Sequence, residues 1–304
     1  MRRLIFIGLV IISFSSTIAQ QFDEKALIQN LKKLSADSMA GRMVGTEGNA
    51  MARAFVKAQF KKLKLEPLGQ DFELNFTLNH RGETKSGINL AGLIRAKSKT
   101  DKYIVISAHY DHVGTRDGKV YNGADDNASG AAALFAFIEY FKTNKPAHNL
   151  LFVAFDAEEV GLQGARAFVK KPPIPLEKIV LNINMDMVAR ADKNTLVACG
   201  TFFYPQLKPF VQKVSEVDGV RIVFGHDDPK LYKSSNNWAQ SSDHGPFHDA
   251  KIPFIYFGVE DHADYHKHTD DFSNVNPASY ISCVKLILKS ILELDNGLSA
   301  SAKF

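Results

Sequence analysis

Imidazole and carboxylate side chains recur at four places along this chain, each directly behind an apolar run. His109 and Asp111 follow the run 103–107, and Asp156, Glu158 and Glu159 follow 150–155. Asp186 follows 179–183, while His262, Asp264, Tyr265, His266 and His268 come after 254–257. A fifth segment, Asn122-Gly123-Ala124-Asp125-Asp126-Asn127-Ala128-Ser129-Gly130, is polar and opens into an apolar stretch at Ala131. A solvated loop accounts for any one of these; it accounts poorly for four in succession. The fifth segment alone reads as a helix cap with turn residues. With the others, one of its aspartates can bridge two metal ions. Two imidazoles and three carboxylates (His109, Asp126, Glu159, Asp186 and His266, with Asp125 and His268 as alternatives) form a mixed donor set that suits catalytic zinc. Two ions roughly 3.5–4 Å apart can share a water and lower its pKa. Glu158 is then a spare carboxylate beside a ligand, the place for a general base. Asp111, two residues beyond His109, can hold that imidazole through its other nitrogen.

Such side chains converge only if strands deliver them to one edge. The four apolar runs read as central strands of a sheet covered on both faces. Helical patterns separate them over 130–141, 162–170 and 205–217, and a last helix is expected over 277–294. Ahead of these lie an amphipathic helix marked by Leu27, Leu31 and Leu34, a glycine-containing stretch 40–48, and a helix from about Asn49 to Lys64. Alternation over Phe72, Leu74, Phe76 and Leu78 predicts a half-buried strand. Alternating strands and helices imply a three-layer α/β/α sandwich around a mixed, largely parallel sheet, with ligands gathering at the carboxyl ends of its strands.

With 45% hydrophobic and 23% charged residues, the chain is excluded from wholesale disorder. A formal charge of +4, spread evenly, argues against nucleic acid as a partner. Arg2-Arg3, an apolar run from Leu4 to Ile12 and small residues ending at Ala19 match a signal peptide over 1–19. That reading implies export to the periplasm or outside the cell and leaves no membrane anchor after cleavage. Residues 20–304 read as one domain, expected to be a monomer. Cys199 and Cys283 are expected as buried thiols rather than a disulfide.

At these residues the sequence resembles the secreted dizinc aminopeptidases, whose wider group includes glutamate carboxypeptidase and glutaminyl cyclase. The likeness rests on Ala108-His109-Tyr110-Asp111, the segment from Gly123 to Gly130, and Asp156-Ala157-Glu158-Glu159-Val160-Gly161-Leu162. Asn184-Met185-Asp186-Met187, Ser242-Asp243-His244-Gly245-Pro246-Phe247 and Asp264-Tyr265-His266 complete it. The resemblance implies one zinc on His109, Asp126 and Asp186 and a second on Asp126, Glu159 and His266, with Glu158 as base and acid. It places the bridging aspartate three residues before Ser129, hence Asp126, and a cis peptide after it. It places an acid four residues after the closing ligand, which His266 satisfies with Asp270. Tyr265, Asp243 and His244 become possible substrate contacts. His112, His148, His226, His248 and His262 are read as surface or structural, and Trp238 sits in a polar loop able to cover the site.

The activity implied is a zinc metalloaminopeptidase that removes the first residue from peptides with a free N-terminus. A glutaminyl cyclase with a single zinc is the alternative. It is disfavoured because Tyr265 stands where those enzymes have Trp and the loop after the Glu pair is compact. A carboxypeptidase or dipeptidase shares the fold, but no basic cluster for a substrate carboxylate is evident. A non-catalytic binding module would not need the complete set of ligands and base.

Overall fold

The computed structural model describes residues 22–300 except 81, 234 and 235, with the backbone alone at 299 and 300. The signal-peptide segment therefore lies outside the described residues. In chain order the elements are α1 (Glu24–Leu34), α2 (Glu47–Lys62), β1 (Glu66–His80), β2 (Glu83–Ile94), β3 (Tyr103–His109), β4 (Thr115–Arg116) and β5 (Lys119–Val120). There follow α3 (Gly130–Thr143), β6 (Asn149–Phe155), α4 (Gln163–Lys170), β7 (Ile179–Met185), β8 (Thr195–Cys199) and α5 (Lys208–Gln212). The chain closes with β9 (Glu216–Val217), β10 (Val220–Phe224), α6 (His244–Asp249), β11 (Phe254–Gly258) and α7 (Pro277–Ala300).

The four apolar runs become the neighbouring strands β6-β3-β7-β11, all parallel to one another. Side chains alternate across a strand. Ile104, Ile106, Phe152, Ala154, Leu181, Ile183 and Phe257 accordingly face one core with α3 and α7. Val105, Leu151, Val153 and Phe155 face another, with Phe168 of α4 and Phe247 of α6. Covering both faces is why these strands are uniformly apolar. Flanking strands complete a nine-stranded sheet in the order β1-β2-β6-β3-β7-β11-β8-β10-β9, with antiparallel pairing at β1-β2, β2-β6, β11-β8 and β10-β9. β3 sits at the point where the strand order reverses, with β6 on one side and β7 on the other, so its carboxyl end opens a crevice.

Three boundaries depart from expectation. The early strand extends over all of β1 and pairs with β2, which the sequence reading did not identify. The helix expected over 205–217 is only α5, with one preceding turn. Asp218 and Gly219 both take positive φ (48° and 83°), and the chain there reverses from β9 into β10 as a tight hairpin. The second helix begins earlier than Asn49, because the Thr46 side chain caps it by accepting from the Asn49 N–H. Cys199 and Cys283 are both buried and unpaired. Among the described residues no helix is long and apolar enough to cross a membrane.

Candidate metal centre

Each chemistry-bearing side chain leaves the carboxyl end of a central strand or the loop behind it. His109 ends β3, Glu158 and Glu159 follow β6, Asp186 follows β7, and His266 lies in the loop after β11. Asp125 and Asp126 sit in the turn that opens α3, and the Asp126–Asn127 peptide is cis, as the resemblance implies.

Around Asp126 the side chains converge in two groups. His109 Nε2 lies 3.2 Å from Asp186 Oδ1 and 3.5 Å from Asp126 Oδ1. The other Asp126 oxygen, Oδ2, lies 3.1 Å from His266 Nε2, which is 3.5 Å from Glu159 Oε2. His109 Nε2, Asp186 Oδ1 and Glu159 Oε1 are buried without a hydrogen-bond partner. Donor atoms bound about 2.0–2.1 Å from a tetrahedral zinc ion lie about 3.3 Å apart. The spacings fit that geometry, and the orphaned atoms are what a metal would satisfy.

The electrostatics are those of crowded buried carboxylates. Burial, reinforced by neighbouring acids, pushes Glu159 up to about 7 and holds Glu158 well above the usual range, with His109 opposing in both. Burial also raises Asp126, and the Glu159 charge adds to it. Burial would lower His109, but Asp186 and Glu158 carry it well above 6.5. Desolvation would raise Asp186, yet the facing His109 holds it below its usual value.

The surrounding residues hold these groups in place. The Asp111 carboxylate faces the outer nitrogen of His109, with Oδ1 3.7 Å from Nδ1, and the Asp111 carbonyl is 3.3 Å from the same nitrogen. Asp111 also accepts the backbone N–H groups of Glu158 (3.0 Å) and Glu159 (3.3 Å) and so fixes the Glu pair. Asp270 accepts from the backbone N–H groups of Asp125 and Asp126, which ties the last loop to the bridging aspartate. Arg190 pairs with Asp264 at 3.0 Å and braces the loop that carries Tyr265 and His266.

The alternatives for two positions separate clearly. Asp125 points away from the cluster, 3.1 Å from His262 Nε2. His268 contacts Lys119 Nζ through its Nε2 and meets Tyr121 edge-on. Of the possible substrate contacts, Tyr265 lines the cavity beside the cluster and stacks on His266. Asp243 and His244 are wholly buried and lie outside the cavity wall; His244 contacts the Trp238 carbonyl and sits against Phe254 and Tyr256. Ser242, beside them, receives a hydrogen bond from Asn184 of β7, which accepts from Ser107 of β3.

Two residues escaped the sequence reading. His112, taken as surface or structural, is fully buried with Nδ1 2.6 Å from Glu159 Oε1, and its burial pushes it down to about 3. Its position three residues after His109 was the available signal. Arg42, in the glycine-containing stretch, is fully buried and donates to the carbonyls of Leu34, Tyr110, Asn122 and Gly123. It thereby clamps the backbone on either side of the centre.

The cavity above the cluster holds about 520 Å³. Trp238, Tyr256, Tyr265, Met187, Leu162 and Val259 form its apolar wall, and Glu158, Glu159, Asp186 and Asp261 its acidic one. No lysine or arginine is among the described residues that line it.

The chain is similar to several known proteins. Aminopeptidase YwaD of Bacillus subtilis is 28% identical over 178 residues, covering 56% of this chain and 35% of that protein. The chain thus spans about a third of that relative's length. A leucine aminopeptidase precursor from Bacteroides thetaiotaomicron shares the fold with a TM-score of 0.70 at 17% identity, over 91% of this chain and 97% of that one. Porphyromonas gingivalis glutaminyl cyclase superposes equally well, with a TM-score of 0.70 at 16% identity over 92% and 100% of the two chains. Residues 89–291 match Peptidase family M28. Covering the central strands and all five converging side chains, that match makes this chain a member of Peptidase family M28.

Proposed function

We propose that this protein is a zinc-dependent aminopeptidase. The observation that carries the reading is Asp126, whose two carboxylate oxygens face two different imidazoles while Glu158 lines the same cavity. His109, Asp126 and Asp186 would hold one zinc, and Asp126, Glu159 and His266 a second. When bound, such a pair polarises the scissile carbonyl and lowers the pKa of the attacking water. The Glu158 carboxylate takes the proton from that water and delivers it to the departing amine nitrogen, so that water adds across the C–N bond. Its raised pKa suits both halves of the transfer. Asp111 keeps Glu158 at a fixed height by holding its backbone N–H.

The acidic cavity supports the choice of substrate end. Carboxylates with no lining lysine or arginine favour an α-ammonium and disfavour a C-terminal carboxylate. The aminopeptidase activity named for the Bacillus relative points the same way. Residues 1–19 are proposed to direct export.

Hydrolysis of amino-acid anilides by the purified protein tests this. Cleavage of free-amine compounds alone, lost on chelation and restored by zinc, is the expected result. Cleavage of N-acetylated compounds at equal rates would overturn it. So would cyclisation of N-terminal Gln peptides without hydrolysis, which is the activity named for the Porphyromonas structure.

A further inference from the structure

The proposed ligand set leaves one buried side chain at the centre unused. His112 has no accessible surface, and neither ring nitrogen has a hydrogen-bond partner. Buried imidazoles are rarely left with both nitrogens unmatched. Nδ1 lies 2.6 Å from Glu159 Oε1, yet that oxygen is also without a hydrogen-bond partner. The two atoms are therefore close but not aligned as an N–H···O bond requires. An ion between them would draw the two atoms apart, towards the spacing of about 3.3 Å that donors on one zinc keep. Nδ1 is also 3.8 Å from Asp126 Oδ2, so His112, Asp126 and Glu159 form a converging trio of their own. Backbone packing fixes the ring: a Cβ on Gly123 would stand 2.5 Å from the His112 Cδ2 atom, so only glycine admits the ring there. The His266 ring approaches from the other side, its centroid 6.2 Å away.

We propose that His112 is a fourth protein ligand of the second metal, bound through Nδ1 alongside Asp126, Glu159 and His266. The proposal rests on the two-metal reading of the site and deepens it. It makes the two positions unequal: three protein groups hold the first metal and four hold the second. The first position therefore keeps more of its coordination sphere open to water and substrate.

Cobalt(II), titrated into the metal-free full chain, reads the ligands directly. Its unpaired electrons shift the ring protons of coordinated imidazoles far outside the normal NMR range. Two equivalents should bind, with three shifted imidazole sets, from His109, His112 and His266. His112→Phe should remove one set and weaken the second equivalent more than a hundredfold, beyond the 10–100-fold that losing a group which merely orients a ligand costs. His112→Ala, with no added bulk, checks that the effect is not a packing defect. Two equivalents with only two shifted sets, both surviving His112→Phe, would overturn the proposal and leave His112 as a positioning residue. A single equivalent in the unmutated protein, shifting His109 alone, would overturn the two-metal reading on which it rests. The wild-type count decides the matter even if both variants fold poorly.

Discussion

At the scale of single residues, the division of labour at Glu158 and Glu159 is the sharpest claim. The two share a peptide and a common anchor in Asp111, but only Glu159 lies within the converging donors. Glu158→Gln keeps the size of the side chain and the backbone hydrogen bond and removes only the basic oxygen. Its kcat on an amino-acid anilide should fall by about 10²–10⁴, the usual worth of general acid–base catalysis. Metal content and KM should hardly move. A fall in kcat of less than tenfold would remove Glu158 from the proton transfer. The residues read from sequence were legible because acids and histidines at the ends of apolar runs form a pattern that linear distance does not hide. Asp126 over Asp125 and His266 over His268 were not legible from residue type. They depend on which side chain turns inward, and the family likeness supplied that. Arg42 carried no such mark, and His112 only its place three residues after His109, because burial of a polar side chain is a property of the folded surroundings rather than of its neighbours in the chain.

At the scale of elements, the central strands were legible because continuous apolar runs have few alternative uses, whereas the sheet edges were not. β2 and β8 pair with neighbours remote in sequence, and β9 was absorbed into the helical pattern over 205–217 although Asp218-Gly219 directly behind it is a turn signal. Two glycines separate turn geometry from close approach. At Gly219 φ is +83° but nothing stands within 4 Å of an added Cβ, so Gly219→Ala meets only the left-handed backbone penalty, about 1 kcal/mol. At Gly41 φ is +69° and a Cβ would stand 2.3 Å from the Gly114 carbonyl oxygen and 2.6 Å from that of Tyr121. Neither backbone can yield easily, since the Gly114 N–H also donates to the Gly41 carbonyl and Arg42 donates to the carbonyl of Asn122, next to Tyr121. Gly41→Ala should therefore cost a few kcal/mol in chemical denaturation, clearly more than Gly219→Ala. Equal costs would mean that the stretch before α2 is not packed against the loop behind β3 as described.

At the scale of the whole molecule, the fold gathers more buried carboxyls than its core can hold as charges. Burial first, with like charges adding in each case, pushes Glu159, Asp156 and Asp270 up to about 7, and Asp126, Glu158 and Asp243 are raised as well. A carboxyl whose pKa is higher in the fold than in the unfolded chain binds a proton more tightly when folded. Its stabilisation is complete below its unfolded pKa of about 4 and is lost as pH rises through the folded value. Each such group removes about 1.4 kcal/mol per pH unit over that window. The raised pKa of His109 acts in the same direction, since its proton also leaves as pH rises. Asp186 and the half-buried Asp264, both lowered, contribute stability that is lost only on acidification towards their depressed values, and so do the buried neutral imidazoles His112 and His244, held down to about 3 and about 4; these are outnumbered by the raised groups. The metal-free protein should therefore melt at a higher temperature at pH 5 than at pH 7.5, the reverse of an ordinary acid-sensitive domain. Zinc binding should reverse the trend, because ligand carboxylates and imidazoles bind metal only after losing their protons. Thermal unfolding with and without zinc between pH 5 and 7.5 reads both effects, and the gap between the two melting temperatures should widen with pH. A metal-free Tm that rises over that interval would show that the acidic cluster is compensated by charges within the fold, leaving metal unnecessary to its balance.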